Sequence, residues 1–392
     1  MKIMSKYCAE CNACIEICKH DAIMFIENEE GFSYPYINES KCINCHLCEQ
    51  VCPLKHSTEI LHDDGIVIAA QSRNKNILRH SSSGGIFSLI AEYTIQNHGI
   101  VYGAAWNKKL QLRHIGVDNI KELDQLKGSK YVHSQNNVYK EIREQLKNKK
   151  LVYFTGTPCQ VGGLRLFLKH DYPNLITTDL VCHGTPSQKL FNKIVTEIEK
   201  ERKGEIKSYN FRDKSILGWN CASSSFKVDN KKIIYDINMR AYFLAFIKGD
   251  ITRMDCYKCP FSCSKRVGDI TLADYWDIEK QHPKFPNISK GVSLILINTD
   301  KGLKIWEQLK DKTYYTPSSF DKVLKTCNTN LKHPTIQPKS RITAYNMAFN
   351  NYEEFIKTYV NPDDKESFYK VYLKRIMKKN IVLRLILNIF GK

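Results

Sequence analysis

Cys8-Ala9-Glu10-Cys11-Asn12-Ala13-Cys14-Ile15-Glu16-Ile17-Cys18 and Cys42-Ile43-Asn44-Cys45-His46-Leu47-Cys48-Glu49-Gln50-Val51-Cys52-Pro53 decide how this chain begins. Both runs read Cys-x2-Cys-x2-Cys-x3-Cys. Thiolate is the soft donor that iron–sulfur clusters need, and two-residue gaps let one loop wrap three corners of a cubane. The fourth cysteine of each run starts a helix that reaches the other cluster. The expected ligand sets are therefore Cys8, Cys11, Cys14 and Cys52 for one 4Fe-4S cluster, and Cys42, Cys45, Cys48 and Cys18 for the second. Structural zinc ribbons use two Cys-x2-Cys pairs instead of two four-cysteine runs.

Over residues 1–57 this pattern resembles the bacterial two-cluster ferredoxin. Lys19 stands where the first run would carry proline. That proline shapes the departing chain but supplies no ligand.

Working outward, the chain has 392 residues and 15 cysteines, eight of them in these two runs. A hydrophobic fraction of 42% is enough for a sizeable core, and the length calls for two or three globular parts. Met1 to Lys6 leads straight into the first run, with no room for the apolar stretch of a signal peptide. So many thiols in an unsecreted chain point to metal or redox work, and the expected location is cytoplasmic. Lys and Arg number 59 against 41 Asp and Glu, a net charge of +18. These cations are scattered over helix faces without a nucleic-acid-binding signature, so nucleic acid is set aside.

After Lys55 strand and helix patterns alternate. Residues 65–70, 100–105, 151–155, 175–181 and 291–298 read as strands, and 84–96, 160–170 and 187–202 as helices. Residues 206–238 read as a strand meander. The expected class is α+β or α/β: a dicluster ferredoxin fold at 1–57, a main domain at 64–340 and a basic helical region at 341–392. From Tyr369 to Lys392 there are seven Lys or Arg and no acid. Such a helix packs on its own core or lies on an anionic membrane surface as a peripheral contact.

Three features of the main domain carry chemistry. Ser82-Ser83-Gly84-Gly85 opens a helix, where unpaired N–H groups suit a phosphate; an N-cap by Ser83 is the plainer alternative. Cys159 and Cys182 each follow the carboxyl end of a strand, the edge where α/β sheets place ligands. Cys256-x2-Cys259-x3-Cys263 supplies three thiols, which need a fourth donor from elsewhere to hold a metal or cluster.

Ser83-Gly84-Gly85, Gly128-Ser129-Lys130-Tyr131, Pro158-Cys159-Gln160, Cys182, Cys256-x2-Cys259 and Gly268-Asp269-Ile270 together resemble the coenzyme F420 hydrogenase/dehydrogenase beta-subunit family, over about residues 64–300. The resemblance implies an iron–sulfur flavoprotein with a third 4Fe-4S cluster on Cys159, Cys182, Cys256 and Cys259, leaving Cys263 as an extra thiol or alternative ligand. It implies FAD at Ser82, Ser83, Gly84, Gly85, Gly128, Ser129, Lys130 and Tyr131. Lys130 would stabilise reduced flavin, and His133 and His183 would be proton donors in the same cleft.

The expected activity is that of an oxidoreductase. It would pass electrons from a one-electron carrier through three clusters and FAD to a hydride acceptor, either coenzyme F420 or another small molecule. The expected protein partner is a ferredoxin or a dehydrogenase or hydrogenase subunit. The alternative is a non-catalytic electron-transfer subunit of a larger complex, linked through some bacterial relatives to polysaccharide biosynthesis.

Overall fold

A computed structural model describes residues 2–5, 7–221 and 223–379. The amino-terminal part pairs β1 (Lys2–Ile3), β2 (Ile23–Glu27) and β3 (Ser33–Ile37) antiparallel in the order β1-β3-β2. Two short helices, α1 (Ala13–Ile17) and α2 (Leu47–Gln50), follow the two cysteine loops. Their loops fold alike. Glu10 and Asn12 have left-handed φ values of 53° and 67°, and Asn44 and His46 repeat them at 55° and 56°. Such φ is costly for a residue with a Cβ and persists where the surroundings hold it, as at a ligand clamp.

The central sheet has eight strands, of which the first five are β4 (Ile66–Ser72), β5 (Ile100–Trp106), β6 (Leu112–Val117), β7 (Val152–Gly156) and β8 (Leu175–Leu180). After the small antiparallel meander β9 (Ile206–Asn210), β10 (Ser225–Val228) and β11 (Lys231–Ile233), β12 (Ile270–Asp274), β13 (Ser293–Ile297) and β14 (Thr313–Pro317) complete it. The order is β14-β4-β13-β12-β8-β7-β5-β6. The middle run β12, β8, β7, β5 is parallel and both flanks are antiparallel. Val152, Tyr153 and Phe154 are fully buried, as a strand covered on both faces requires.

Between these strands run α3 (Lys75–His80), α4 (Ile86–Gln96), α5 (Tyr139–Lys147), α6 (Pro158–Leu168), α7 (Gln188–Arg202), α8 (Ile237–Lys248), α9 (Ile278–Gln281) and α10 (Asp300–Leu309). On one face α4 buries Ile86, Leu89 and Ile90 with Ile305, Trp306 and Leu309 of α10. On the other, α5 and α6 share a core with Ala13 and Val51 of the amino-terminal part. The two parts are thus packed through one apolar cluster. A third core joins α7, α8 and the meander to the helical end of the chain.

That end comprises α11 (Phe320–Val323), α12 (Arg341–Asn350), α13 (Tyr352–Tyr359) and α14 (Asp364–Lys379). In α14, Phe368 and Tyr369 pack on Tyr235, and Arg375 donates to the carbonyl of Leu217 at 2.5 Å. Val371 and Leu373 are exposed. The rest of the basic tail, 380–392, lies outside the described residues. No described helix is long and apolar enough to cross a membrane.

Candidate redox centre

The first ligand set lines one cavity. Cys8, Cys11, Cys14 and Cys52 surround it together with Tyr7, Val51 and Pro53. Burial pushes the Cys8 thiol up to about 12, and Cys52 adds to it while Arg253 opposes. Burial also raises Cys11 and Cys14, each further by Cys8 and Cys52. Thiolates that raise one another are donors gathered in one place, which a cationic cluster would neutralise. In the second run burial raises Cys48, with Glu49 and Cys45 adding. The N–H of Asn44 meets Cys42 Sγ at 3.4 Å, as that of Glu10 meets Cys8 Sγ at 3.2 Å. Cys18 caps the end of α1, half-buried. Cys48 also raises Cys14, so the two sets adjoin.

The third set comes from three segments. Thr157 caps α6 in a capping box with Gln160, and Pro158 occupies the first turn. Cys159 therefore sits in the first turn of α6, just inside a helix that the sequence placed from residue 160. Its Sγ lies 3.1 Å from Thr157 Oγ1. Cys182 follows β8, and its Sγ accepts from the Gly184 N–H at 3.4 Å. Gly184 has a φ of 110°, and a Cβ there would stand 3.2 Å from Cys256 Cβ and 2.2 Å from Thr252 Cγ2. Only glycine lets this corner close on Cys256. Burial pushes Cys182 up to about 12, with Cys159 and Cys259 adding. Burial raises Cys256 well above the usual thiol range, helped by Cys182, Cys259 and Cys159.

Cys263 stands at the margin. Its thiol donates to the Lys265 carbonyl at 3.2 Å, and it is raised by burial against the opposing charge of Arg266. Among the described residues no three His, Cys, Asp or Glu side chains converge tightly enough for a single metal ion. Four soft thiolates are the donor type that an iron–sulfur cluster takes.

Sequence reading missed what joins these sets. Tyr7 lines the cavity of Cys8, and its hydroxyl donates to the Lys258 carbonyl at 2.6 Å, inside the Cys256–Cys259 turn. Burial pushes Tyr7 up to about 12, with Cys259 next among the causes. A Cβ on Gly163, one turn after Cys159, would lie 3.0 Å from Cys11 Sγ. Arg253 is fully buried. It donates to the Cys8 carbonyl at 2.6 Å, to Glu10 at 2.8 Å and to the Ser33 carbonyl at 2.8 Å. An arginine three residues before Cys256 was the available signal. Cys327 is exposed and donates to Asp277 at 3.3 Å instead of packing as a small apolar residue.

The residues expected to hold FAD meet in part. Ser82 Oγ accepts from the Ser129 N–H at 2.8 Å, bringing the two motifs together. Gly85, with a φ of 86°, is the N-cap of α4, and no side chain caps the helix. The N-cap expected from Ser83 is absent because its hydroxyl donates to the Val292 carbonyl at 2.9 Å. Gly84 donates its N–H to Ser293 Oγ at 3.0 Å and is pressed against the sheet. Gly128 has a φ of 84° and faces open space. An uncapped helix start beside a bare glycine fits a phosphate group.

Lys130 points elsewhere. Its Nζ donates to the carbonyls of Leu126, Lys127 and Gly128 at 3.2, 2.9 and 3.1 Å, and burial pulls it down to about 7. Lys214, which sequence reading did not single out, has an Nζ on the carbonyls of Leu78, Ser83 and Lys290. Tyr131 stacks on Phe246 at 4.7 Å. His133 Nε2 faces the Glu10 carboxylate at 3.7 Å, toward the first cysteine run and not toward α4. His183 contacts Asn330 and Thr335 through Nδ1 and meets Phe246 edge-on. Burial lowers both histidines, so both are held neutral.

Known proteins share stretches of this chain. Archaeal-type glutamate synthases [NADPH] from Thermotoga maritima and Thermotoga sp. strain RQ2 are each 29% identical over 82 residues. That stretch is 20% of this chain and 16% of theirs, so the chain spans only a small part of those relatives. A chain of the F420-reducing [NiFe] hydrogenase complex from Methanosarcina barkeri aligns over 76% of this chain and 92% of its own. Its sequence identity is 16% and its TM-score 0.47. The 4Fe-4S dicluster domain matches residues 7–55, and the carboxyl-terminal region of the coenzyme F420 hydrogenase/dehydrogenase beta subunit matches residues 149–323. Residues 149–323 are thus similar to the carboxyl-terminal region of the coenzyme F420 hydrogenase/dehydrogenase beta subunit, with a match to the 4Fe-4S dicluster domain ahead of them.

Proposed function

We propose that the protein is an iron–sulfur flavoprotein oxidoreductase with three 4Fe-4S clusters and FAD, in which the ferredoxin-type part feeds the main domain. The observation that carries this reading is the gathering of Cys159, Cys182, Cys256 and Cys259 from separate segments, with Tyr7 linking them to the Cys8 cavity. The clusters supply one-electron transfer, and flavin supplies the exchange between single electrons and a hydride.

The chain's own residues arrange the path. The loop of the second run is the exposed one: Cys45 is open and Ile43 is 61% exposed. An external electron carrier, such as a ferredoxin or another subunit of a redox complex, docks there. The first set is buried between that loop and α6. Arg253 fixes the Cys8 loop through main-chain and carboxylate contacts, and α6 presents Cys159 on its first turn. Ser82, Ser129, Gly128 and the uncapped start of α4 hold the phosphates of FAD. Lys130 and Lys214 position this site by tying main-chain carbonyls together. The hydride acceptor is a small molecule, coenzyme F420 among the candidates.

Anaerobically prepared protein tests the proposal. About twelve irons, twelve acid-labile sulfides and one FAD per chain are expected. Clusters without flavin would instead leave a non-catalytic electron-transfer subunit. Zinc in place of iron would remove the redox reading altogether.

A further inference from the structure

A cavity of about 360 Å³ lies at the opposite end of β8 and α6 from Cys182 and Cys159. Leu175 and Thr177, at the start of β8, border it, whereas Cys182 follows the end of that strand. The last turn of α6 forms its wall, whereas Cys159 sits on the first turn. It is therefore separate from the third cysteine set, while Gln50 of α2, between Cys48 and Cys52, brings the second cysteine run to its rim. Its volume lies in the range of small-molecule sites and exceeds what one inorganic ion needs.

The chemistry of the wall is unbalanced toward positive charge. Arg165 uses one nitrogen of its guanidinium for the protein: Nη1 donates to the carbonyls of Ile60 at 3.1 Å and Val267 at 2.7 Å, and to His62 Nε2 at 2.6 Å. Burial and Arg165 lower His62, so the imidazole is a neutral acceptor. Among the described residues neither Arg165 nor Lys169 has a carboxylate partner. The two acids of the cavity are already matched. Asp171 pairs with Lys301 at 2.8 Å. Asp269 accepts from the Thr177 N–H and hydroxyl at 2.8 and 2.7 Å and from Thr299 at 2.9 Å, with Lys301 at 3.6 Å. A guanidinium with a free edge beside an unpaired lysine suits an oxyanion, since its planar fork donates two parallel hydrogen bonds.

We propose that this cavity binds a small organic molecule carrying a carboxylate or phosphate, held by the free edge of Arg165 and by Lys169. The occupant also touches Ile60 and His62, which lie in the connection from the cysteine runs to β4. Its binding braces that connection against α6. The proposal does not rest on the flavin or the third cluster.

The test is isothermal titration of the anaerobic, cluster-loaded full chain with succinate, citrate, inorganic phosphate and AMP. One class should saturate at one site per chain, and comparing the carboxylate and phosphate arms identifies it. Arg165→Gln should weaken binding roughly tenfold or more, the scale of a charge-assisted pair. Because Arg165 also holds two carbonyls, Lys169→Gln is the second variant: its exposed side chain leaves the fold intact, and severalfold weaker binding is expected. Lys200→Gln, on α7, is the control for the general attraction of a basic protein. No saturable binding by any probe would overturn the proposal. So would binding untouched in both cavity variants, or weakened equally by the control.

Discussion

Gly84→Ala separates packing from cofactor binding. A Cβ on Gly84 would lie 2.4 Å from the Ala70 carbonyl oxygen and 2.6 Å from the Ser293 nitrogen, both main-chain atoms of neighbouring strands. Neither can swing aside as a side chain would. Overpacking of this kind costs about 1–3 kcal/mol, and loss of the buried Gly84 N–H to Ser293 Oγ contact about 1–3 more. Restricting the unfolded chain returns at most about 1 kcal/mol, so the net loss lies in the range of about 1–6 kcal/mol, with a middle value of about 3. Gly128→Ala is the comparison, with nothing within 4 Å of the added methyl but a φ of 84°. Its cost is the left-handed backbone alone, about 1 kcal/mol. Urea unfolding of cluster-loaded, flavin-free protein, followed by tryptophan fluorescence, measures both. With a urea slope of about 3 kcal/mol/M, Gly84→Ala should lower the midpoint by roughly 1 M and Gly128→Ala by less than half of that. A Gly84→Ala protein with an unchanged midpoint that merely loses flavin would refute the packing argument.

Three further outcomes are expected. Cys159→Ala and Cys182→Ala should each lose about four irons while the ferredoxin-type clusters stay reducible, and Cys263→Ala should keep all of its iron; the reverse pattern would move the ligand core to Cys256, Cys259 and Cys263. Lys130 is held near 7 in the folded protein, below its unfolded value, so the unfolded chain binds more protons between those values and stability rises with pH. Between about pH 7 and 8.5 this adds about 1 kcal/mol per pH unit, and Lys130→Met should flatten that part of the midpoint-versus-pH curve. Gly163→Val should press on Cys11 Sγ and the Tyr139 hydroxyl, each 3.0 Å from the added Cβ, and lower occupancy of the first cluster site in an iron assay, where an ordinary helical glycine would tolerate the change.

The two cysteine runs were legible because ligand chemistry constrains spacing directly. The strands 100–105, 151–155 and 175–181 were legible because burial on both faces leaves continuous apolar runs. β12 and β14 were not: Ile270–Asp274 is short and follows a turn, and Thr313–Pro317 is an edge strand with polar positions and a proline. The third cysteine set could be gathered only by resemblance, since sequence order says nothing about which strand ends adjoin. Gly84 and Lys130 show the other limit. Glycine at a helix start reads as a phosphate cradle, yet sheet packing also demands it, and a lysine among glycines reads as a ligand although three carbonyls hold it inward. Asp269 behaves similarly: within Gly268-Asp269-Ile270 its carboxylate ties β8 to the capping residue of α10.

The buried charges between the two parts make sense as devices of register more than of stability. Arg253 is desolvated among Glu10, Asp255 and two carbonyls, and Arg341 pairs with Glu30 at 2.6 and 2.8 Å. Burying such ions costs solvation that their pairing only partly offsets, and an apolar interface of equal area would hold the parts together as well. An apolar surface, however, tolerates sliding. Fixed donor and acceptor directions admit one alignment, in which Tyr7 reaches the Lys258 carbonyl and Cys11 meets the bare face of Gly163. The same alignment seats α6, with Cys159 in its first turn and Gly163 one turn on, against Cys11, so one helix fixes the separation of two candidate clusters. On the proposed function, holding redox centres at set distances is a reason to place charged pairs at this seam.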